Sequence, residues 1–406
     1  MITGIVRERE YRQKEVIKEI SSKWGSAQTI EGPFLTLSCD HEYFLTDDKG
    51  DKKVYKTSKN VTVLPHELNI ESEIIPEIRY RGIFKSVLYT TKLKISGNFT
   101  NINDSIFNVD NKILSKSGDL ILGITDLKGV KQQIKVNWNE LNLMAEPGLS
   151  GIVDSGVKTP VKINEEETYN FNINLTLNGS ERIYFTPVGK TTNISTISNW
   201  TDPSFIGAFL PDERDLQESG FTADWSVLHL NRNYPQVWDG KIFDTSASRF
   251  GVELLMPVDQ YQKTTRTSKY AIMFIGLTFL AFFMLEIMHK KRVHPVQYTL
   301  IGFGLVIFYS LLLSLSEHIG FGPAYWAAAS AIVLLIGFYT KSVMKSSKQS
   351  LIISGILSLL YVFLYILLQL QDFALLLGSF GLFVGLAIVM FVSRNIDWYN
   401  MQGNDS

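Results

Sequence analysis

The sequence predicts a membrane protein in which an exported, antiparallel β-rich domain of the sandwich type is followed by an α-helical transmembrane bundle. Three observations predict this fold class: most charged residues precede about residue 270, short runs of alternating hydrophobicity fill the region before it, and long apolar runs follow it. With 406 residues, the chain is long enough for more than one domain. Its net charge of -1 provides no broad basic face, and we expect no nucleic-acid partner.

Residues 1–25 predict a juxtamembrane helix. Its charged run starts at Arg7, Gly25 is a suitable helix stop, and apolar side chains recur between them at helical spacing, namely Val16, Ile17, Ile20 and Trp24. The six letters before Arg7, MITGIV, are apolar, so we expect them to be the tail of an N-terminal membrane helix that is missing or clipped from this sequence. Translocation of the following domain by the first internal helix is the competing interpretation.

Residues 26–268 predict the extracytoplasmic β-rich domain. The segment TYNFNINLTLNG at 168–179 places asparagines and Thr176 on one strand face and apolar side chains on the other, namely Phe171, Ile173, Leu175 and Leu177. The Asn178-Gly179 pair, followed by ERIYF, predicts a hairpin turn. Similar alternation occurs at 79–99, 119–129 and 131–138. We therefore expect an antiparallel sandwich or barrel-like domain with little helix.

An aromatic-rich segment of this domain, GFTADWSVLHLNRNYPQVW at 220–238, contains a candidate binding surface. Its members are Trp225, His229, Arg232 and Trp238. Exposed rings and cations of this kind stack on sugars, whereas buried aromatic side chains build the core of a sandwich. Both interpretations of the segment stay open at the level of the sequence.

Residues 269–394 predict five transmembrane helices. The apolar runs lie at about 270–288, 296–316, 323–340, 350–370 and 373–393. Each run has about 18 to 21 residues, and a helix of that length crosses a hydrocarbon core of about 30 Å. Membrane lipids are therefore expected partners, and the chain is expected to be a multi-pass protein of the bacterial inner membrane.

The loop charges predict the orientation of the bundle. The loop at 289–294 contains two lysines and an arginine and the loop at 340–350 contains three lysines, whereas those at 316–322 and 370–372 contain neither residue type. By the positive-inside rule, the two basic loops and the tail at 395–406 are cytoplasmic. Five crossings then place residues 1–268 outside the cytoplasm. Basic residues just before the first run weaken this bias, but the later loops outweigh them.

Ionisable groups at the helix ends raise two further functional hypotheses. Glu286 lies near the cytoplasmic end of the first run, and Glu317 and His318 lie at the outer end of the second. An ion-coupled transporter or a membrane-embedded enzyme would use such groups, with Ser314 one helical turn from His318. The competing interpretation is a polar helix end at the water interface, where Glu317 and His318 contact the exported domain through Arg232 or Asp259.

Cysteine usage predicts neither a disulfide framework nor a multi-cysteine metal site. The chain contains one cysteine, Cys39, which cannot form an internal disulfide. We expect no cofactor and no bound metal. No catalytic residue can be assigned from the sequence, and a role other than catalysis is the expectation.

Five motifs, spread over nearly the whole chain, resemble those of one protein family. They are VREREYRQKEVIKEISSKWGSAQTIEGP at 6–33, PSFIGAFLPDER at 203–214, GFTADW at 220–225, PVDQYQKTTRTSKY at 257–270 and HPVQYTLIGFGLVIFYSLLLSLSEHIGF at 294–321. The sequence is identified by them as a member of the CreD family of bacterial inner-membrane proteins, known as cell envelope integrity proteins.

This resemblance implies an N-terminal membrane helix, an exported domain, a membrane bundle and a cytoplasmic C-terminus. It also implies a role in cell envelope integrity and tolerance of envelope stress. Binding or sensing through the β domain is the expected mechanism, with a periplasmic or inner-membrane protein as a candidate partner. The family supplies no catalytic residues that can be carried over to positions of this sequence.

Overall fold

The computed structural model describes residues 2–46, 52–107, 113–148, 151–164, 168–241, 243–256, 260–288, 293–370 and 373–394. The chain divides into two compact units. One, called the β unit here, is Lys14–Pro257, and the other, called the helical unit, joins Met1–Gln13 to Val258–Ser406. The division differs from the predicted boundaries because residues 14–25 cluster with the strands and residues 258–268 cluster with the membrane helices.

Apart from residues 14–24 of the first α-helix, the β unit is built from strands with a few single turns of 3-10 helix. The strands are β1 (Gln28–Thr46), β2 (Lys52–Val63), β3 (Glu67–Arg81), β4 (Phe84–Thr100), β5 (Ile113–Ile124), β6 (Lys135–Trp138), β7 (Leu141–Met144), β8 (Glu146–Pro147), β9 (Gly156–Val161), β10 (Thr168–Ser180), β11 (Arg182–Phe185), β12 (Thr191–Ser198), β13 (Pro203–Gly207), β14 (Glu213–Gln217), β15 (Gly220–Leu228), β16 (Val237–Asp239) and β17 (Phe250–Leu254). The predicted β-rich character of this region is confirmed.

The strands form two sheets. The first has nine strands in the order β13-β17-β11-β1-β5-β9-β8, with β2 beside β1 and β16 beside β2. The second has eight strands in the order β14-β15-β12-β3-β4-β10-β6-β7. Most neighbours are antiparallel, as predicted, but β1 with β11 and β12 with β3 are parallel pairs. Parallel neighbours need a connection that returns to the same end of the sheet, and periodicity alone does not reveal it.

Alternating side chains of both sheets fill one hydrophobic core. Phe34 and Leu37 of the first sheet and Ile70 and Ile95 of the second belong to the same buried cluster. In β10, the apolar residues that the sequence placed on one face are all buried. This arrangement of two sheets around a shared core confirms the sandwich-like fold.

The predicted hairpin at Asn178-Gly179 is wrong. Strand β10 continues through both residues, which pair with Thr90 and Tyr89 of β4. The chain turns at Glu181, whose φ is +61°, and β11 then joins the other sheet. A Cβ on Gly179 would lie 2.3 Å from the ring of Tyr89, so this glycine makes room for an aromatic ring and does not shape a turn.

Helix α1 (Ile2–Trp24) ends where the sequence predicts. Within the β unit, the Trp24 indole donates to the carbonyl of Tyr89 at 3.3 Å, and the Arg79 guanidinium lies 4.2 Å from the indole ring centre. Gly25 has a φ of +152°, and a Cβ there would lie 2.5 Å from a neighbouring carbonyl oxygen. Only glycine fits this close contact and this backbone conformation, so the helix ends here, shortly before β1 begins.

The helical unit contains α2 and five long apolar helices that meet the length and hydropathy requirements of membrane spans. The bounds are α2 (Gln260–Lys269), α3 (Ala271–Met288), α4 (Pro295–Ile319), α5 (Phe321–Met344), α6 (Ser347–Gln369) and α7 (Ala374–Ser393). The prediction of five spans is confirmed. Two loops are shorter than predicted, because Gly320 alone separates α4 from α5 and only Lys345 and Ser346 separate α5 from α6.

Aromatic side chains fill the centre of the helical unit. Phe308 lies with its ring centre 4.7 Å from Tyr361 and 5.5 Å from Tyr325. The hydroxyl of Tyr325 donates to the carbonyl of Tyr361 at 2.7 Å, so a polar atom in the bundle core is satisfied. Phe274 of α3 packs against Tyr361 at 5.0 Å. These contacts connect α3, α4, α5 and α6.

Candidate binding face of the second sheet

The outer face of the second sheet carries polar side chains from most of its eight strands. Strand residues alternate between the core and this face, so β3 buries Leu68, Ile70 and Ser72 and presents the residues between them outward. Register then decides which outward side chains become neighbours. The outer face carries two kinds of cross-strand row, one of amides and hydroxyls and one of opposite charges.

The first kind, called the amide row, crosses strands β15, β12, β3, β4, β10, β6 and β7 in register. It consists of Ser226, Asn193, Asn69, Ser96, Asn172, Asn137 and Asn142. Side-chain hydrogen bonds run along it: Ser226 Oγ donates to Asn193 Oδ1 at 2.9 Å, and Asn193 Nδ2 donates to Asn69 Oδ1 at 3.0 Å. The row presents uncharged donors and acceptors on one line.

The second kind, called the charged rows, lies beside the amide row. Lys94 is opposite Glu71 and Lys92 is opposite Glu73, with Nζ to Oε2 distances of 3.4 and 3.0 Å. All four side chains are largely exposed, so each ion pair contributes little to stability. The pairing nevertheless balances the charge of the face locally.

An open groove of about 1100 Å³ lies over the charged rows. Its lining includes both lysine–glutamate pairs, with Asn174, Thr176 and Ser195 from the same outer face. Asp215 and Gln217 of β14 and Gln132 before β6 also line it. The groove is of the size that binds a ligand, and its lining combines these polar and charged groups with exposed apolar ones, Ile75 and Ile197. Among the described residues, no group of three or more His, Cys, Asp or Glu side chains is arranged to hold a metal ion.

The structure places most of the aromatic segment predicted as a binding surface inside the protein. Trp225, Arg232 and Trp238 are buried, and His229 is half-buried. Trp225 packs against Phe250, with ring centres 5.6 Å apart, in the core between the sheets. Stacking on a sugar needs an exposed ring face, which these two indoles do not offer.

Arg232 is held entirely by partners within the β unit. Its guanidinium donates to the carbonyls of Tyr234 at 2.6 Å, Val188 at 3.1 Å and Gly189 at 3.3 Å, and to Oε1 of Gln236. Burial lowers the pKa of the guanidinium, but an arginine stays charged at neutral pH. Its role is to tie the loop before β16 to the loop before β12. The other group proposed to meet Glu317, Asp259, lies outside the described residues.

Glu317 has a different partner from the one that the sequence suggested. Its side chain is 9% exposed and its Oε1 lies 3.7 Å from Nε of Arg9 in the helical unit. His318 and Ser314 are both exposed on α4. Within the described residues, Ser314 and His318 share no hydrogen bond, so the pair that nucleophilic catalysis would need is not formed. Glu317 and Arg9 together fix α1 to the last turn of α4.

Glu286 closes the connection between α3 and α4. Its Oε1 accepts from the backbone N–H of Val293 at 2.9 Å, and its Oε2 accepts from the Tyr298 hydroxyl at 2.7 Å. The carboxylate borders an open, mainly apolar groove of about 660 Å³ that also includes Phe279 and Phe283. Glu286 lies near the C-terminal end of α3 and Glu317 near the C-terminal end of α4, and their described contacts are separate.

Sequence reasoning missed the outer face of the second sheet as a site. The sequence does show part of this face, because the asparagines of β10 alternate with residues that are buried. The rest depends on register: Asn69, Asn137 and Asn193 come from distant parts of the chain, and strand pairing alone brings them into one row. A single sequence does not specify this pairing.

Two comparisons with known proteins agree with this architecture. Residues 1–399 match the model of a family described as inner membrane protein CreD. Inner membrane protein CreD of Escherichia coli (strain K12) is 34% identical to this chain over 408 residues. That alignment covers 98% of this chain and 89% of the relative. The likeness therefore extends over both the β unit and the helical unit.

Proposed function

Because the chain belongs to the CreD family of inner membrane proteins, we propose that it supports cell envelope integrity by binding an envelope component through the outer face of its second sheet. The observation that carries the proposal is a broad polar face with a groove of about 1100 Å³, on a chain with five apolar helices. The helices place the protein in the membrane as a multi-pass protein, and the β unit supplies the binding surface. Membrane lipids and one envelope component are its proposed partners.

The proposal includes an orientation for the β unit. Lys341 and Lys345 lie at the end of α5, and further lysines and an arginine lie between α3 and α4. By the positive-inside rule, these ends face the cytoplasm, as does the C-terminus after α7. Five crossings then put the β unit on the periplasmic side, where an envelope component is accessible to its second sheet.

Charge changes in the groove are expected to abolish protection of the envelope. In a deletion strain under envelope stress, we expect the Lys92→Gln/Lys94→Gln variant to restore at most about a tenth of wild-type survival, because it removes two cationic donors from the groove and leaves Glu71 and Glu73 without their partners. A tenfold weaker affinity for the ligand corresponds to about 1.4 kcal/mol. Survival is measured by plating at matched protein levels in the membrane fraction. The control, Lys56→Gln/Lys162→Gln, makes the same charge change at two exposed lysines outside the second sheet. Full survival with the groove variant contradicts the proposal.

We also propose that the role is binding and not catalysis or ion transport. Support comes from Ser314 and His318, which share no hydrogen bond in the described structure. It also comes from Glu286, whose carboxylate accepts hydrogen bonds from Val293 in the connection after α3 and from Tyr298 on α4. Glu317 likewise has a structural partner in Arg9. The two glutamates therefore have structural partners, and the serine and histidine lack the contact that a reaction would require.

The Glu317→Gln/His318→Ala variant tests this second part. We expect it to protect the deletion strain to within twofold of the wild-type chain, because glutamine keeps the shape of Glu317 beside Arg9 and proton transfer is not needed. Survival under the same stress is the measurement. Ser314→Ala, which removes the hydroxyl of the enzyme hypothesis, is expected to protect equally well, and Thr299→Ala is the control for an exposed polar change on the same helix. A loss of ten-fold or more at normal membrane levels would point to transport or catalysis.

A further inference from the structure

We propose that the ligand of the second sheet is a neutral glycan chain, bound by the asparagine side chains of its outer face. The inference rests on the proposed function, since it names the chemical class of the envelope component. It concerns the amide row and the asparagines beside it, whereas the test of the proposed function concerns the charged rows.

The first argument is the cost of placing asparagine in strands. Asparagine is depleted in β-strands, whereas β-branched residues such as threonine are enriched in them. Threonine would serve a solvent-facing strand position better. The outer face of the second sheet nevertheless carries Asn69, Asn98, Asn137, Asn142, Asn170, Asn172, Asn174 and Asn193. Their repeated use on this face favours a role for the amide groups themselves.

The second argument is the match between amides and hydroxyls. An asparagine side chain both donates and accepts hydrogen bonds, as a sugar hydroxyl does. The bonds along the row orient the amides: Asn193 Oδ1 accepts from Ser226, and its Nδ2 donates to Asn69 Oδ1. The Nδ2 group of Asn69 has no protein partner among the described residues and remains available to a hydroxyl oxygen.

The third argument is spacing. Neighbouring strands lie about 4.8 Å apart, so a row across seven strands extends over roughly 30 Å. A strand separation is comparable to the length of one sugar unit, and successive amides therefore meet successive units of an extended chain. A small ligand would use only a fraction of such a row, which favours a polymer.

The fourth argument is charge. The amide row carries no charge, and Lys92 and Lys94 beside it are paired with Glu73 and Glu71. One further lysine of this face, Lys135, lies opposite Asn174, and the acidic Glu67 and Asp224 offset its charge on the same face. A face that binds a polyanion presents unpaired cations, because counterion release and direct attraction supply the affinity. Balanced pairs beside an uncharged row favour a neutral glycan over an anionic polymer.

Binding of chitohexaose to the full chain in detergent tests the inference by isothermal titration calorimetry. We expect saturable binding to the wild-type chain and at least tenfold weaker binding to the Asn69→Thr/Asn193→Thr variant. Threonine keeps a hydroxyl and suits a strand, so the thermal midpoint should not fall. The control is Asn60→Thr on β2 of the first sheet, which makes the same change on an exposed strand position and should bind normally.

A second variant covers the case in which the double variant does not fold. Asn142→Thr changes the row at an exposed residue of the edge strand β7, and we expect at least threefold weaker binding. Absence of saturable chitohexaose binding, equal binding by the row variants, or stronger binding of dextran sulfate than of chitohexaose would each overturn the glycan inference. If these results occur while Lys92→Gln/Lys94→Gln still fails to protect the envelope, the proposed function stands and only the ligand class is wrong.

Discussion

Replacing Arg232 with methionine should lower the free energy of unfolding of the β unit by about 3 kcal/mol. Methionine retains the apolar stem but removes every donor, so the buried carbonyls of Val188, Gly189 and Tyr234 lose their partner. A buried polar group left unsatisfied costs about 1–3 kcal/mol. Part of the total cost of the three unsatisfied carbonyls is offset in the variant. The wild-type protein buries a charged guanidinium without an acidic partner among the described residues, and the methionine variant no longer has this desolvation cost.

Urea unfolding of the purified chain, followed by tryptophan fluorescence, measures the change through buried Trp225 and Trp238. Arg214→Met is the matched control, because Arg214 is exposed on β14 and the same substitution there should change stability by less than about 0.5 kcal/mol. A change at Arg232 no larger than that at Arg214 would show that the carbonyls find other donors. It would also remove the structural account of this arginine and reopen its assignment as a binding residue.

The buried status of Arg232 illustrates what the sequence could not specify. An arginine between aromatic residues in a strand-rich segment is compatible with a binding surface or with the interior. The choice depends on whether nearby carbonyls converge on the guanidinium, and two of them come from residues 188 and 189. Such convergence is a property of the folded chain, since those residues lie more than forty positions away.

Periodicity predicted the elements well because it follows directly from burial. The alternation in β10 and the five apolar runs after residue 270 correspond to a strand buried on one face and to the helices α3 to α7. Connections were less predictable. Asn178-Gly179 has the composition of a hairpin turn, but the packing of Tyr89 against Gly179 decides its conformation. Tertiary packing there overrides local turn preference.

The candidate site depends on strand register, which periodicity does not determine. The sequence shows that Asn172 and Asn174 face away from the core, but it does not show that Asn69 and Asn193 lie in neighbouring strands. The same limitation applies to Glu317. Its partner, Arg9, is separated from it by most of the chain, and only the packing of α1 in the helical unit brings the two together.

Replacing Phe308 with alanine should destabilise the helical unit by about 2–3 kcal/mol. In aqueous cores, the same change costs about 3–5 kcal/mol, because it removes a favourable transfer from water and leaves a cavity. A membrane helix keeps its side chains in lipid when the bundle separates, so the transfer contribution is smaller and lost packing dominates. Phe308 is 1% exposed and its ring contacts Tyr325 and Tyr361 on two other helices.

Titration with SDS in mixed micelles, followed by circular dichroism, measures the stability of the helical unit in this comparison. The control is Phe383→Ala on α7, where the ring is 68% exposed, and we expect it to change stability by less than about 0.5 kcal/mol. Equal effects at the two positions would mean that ring volume in lipid, and not contact with Tyr325 and Tyr361, determines stability. A large effect at Phe308 alone identifies the aromatic cluster as the contact that joins α4 to α5 and α6. The stability of the helical unit then depends on this cluster, whereas the proposed binding depends on the outer face of the second sheet.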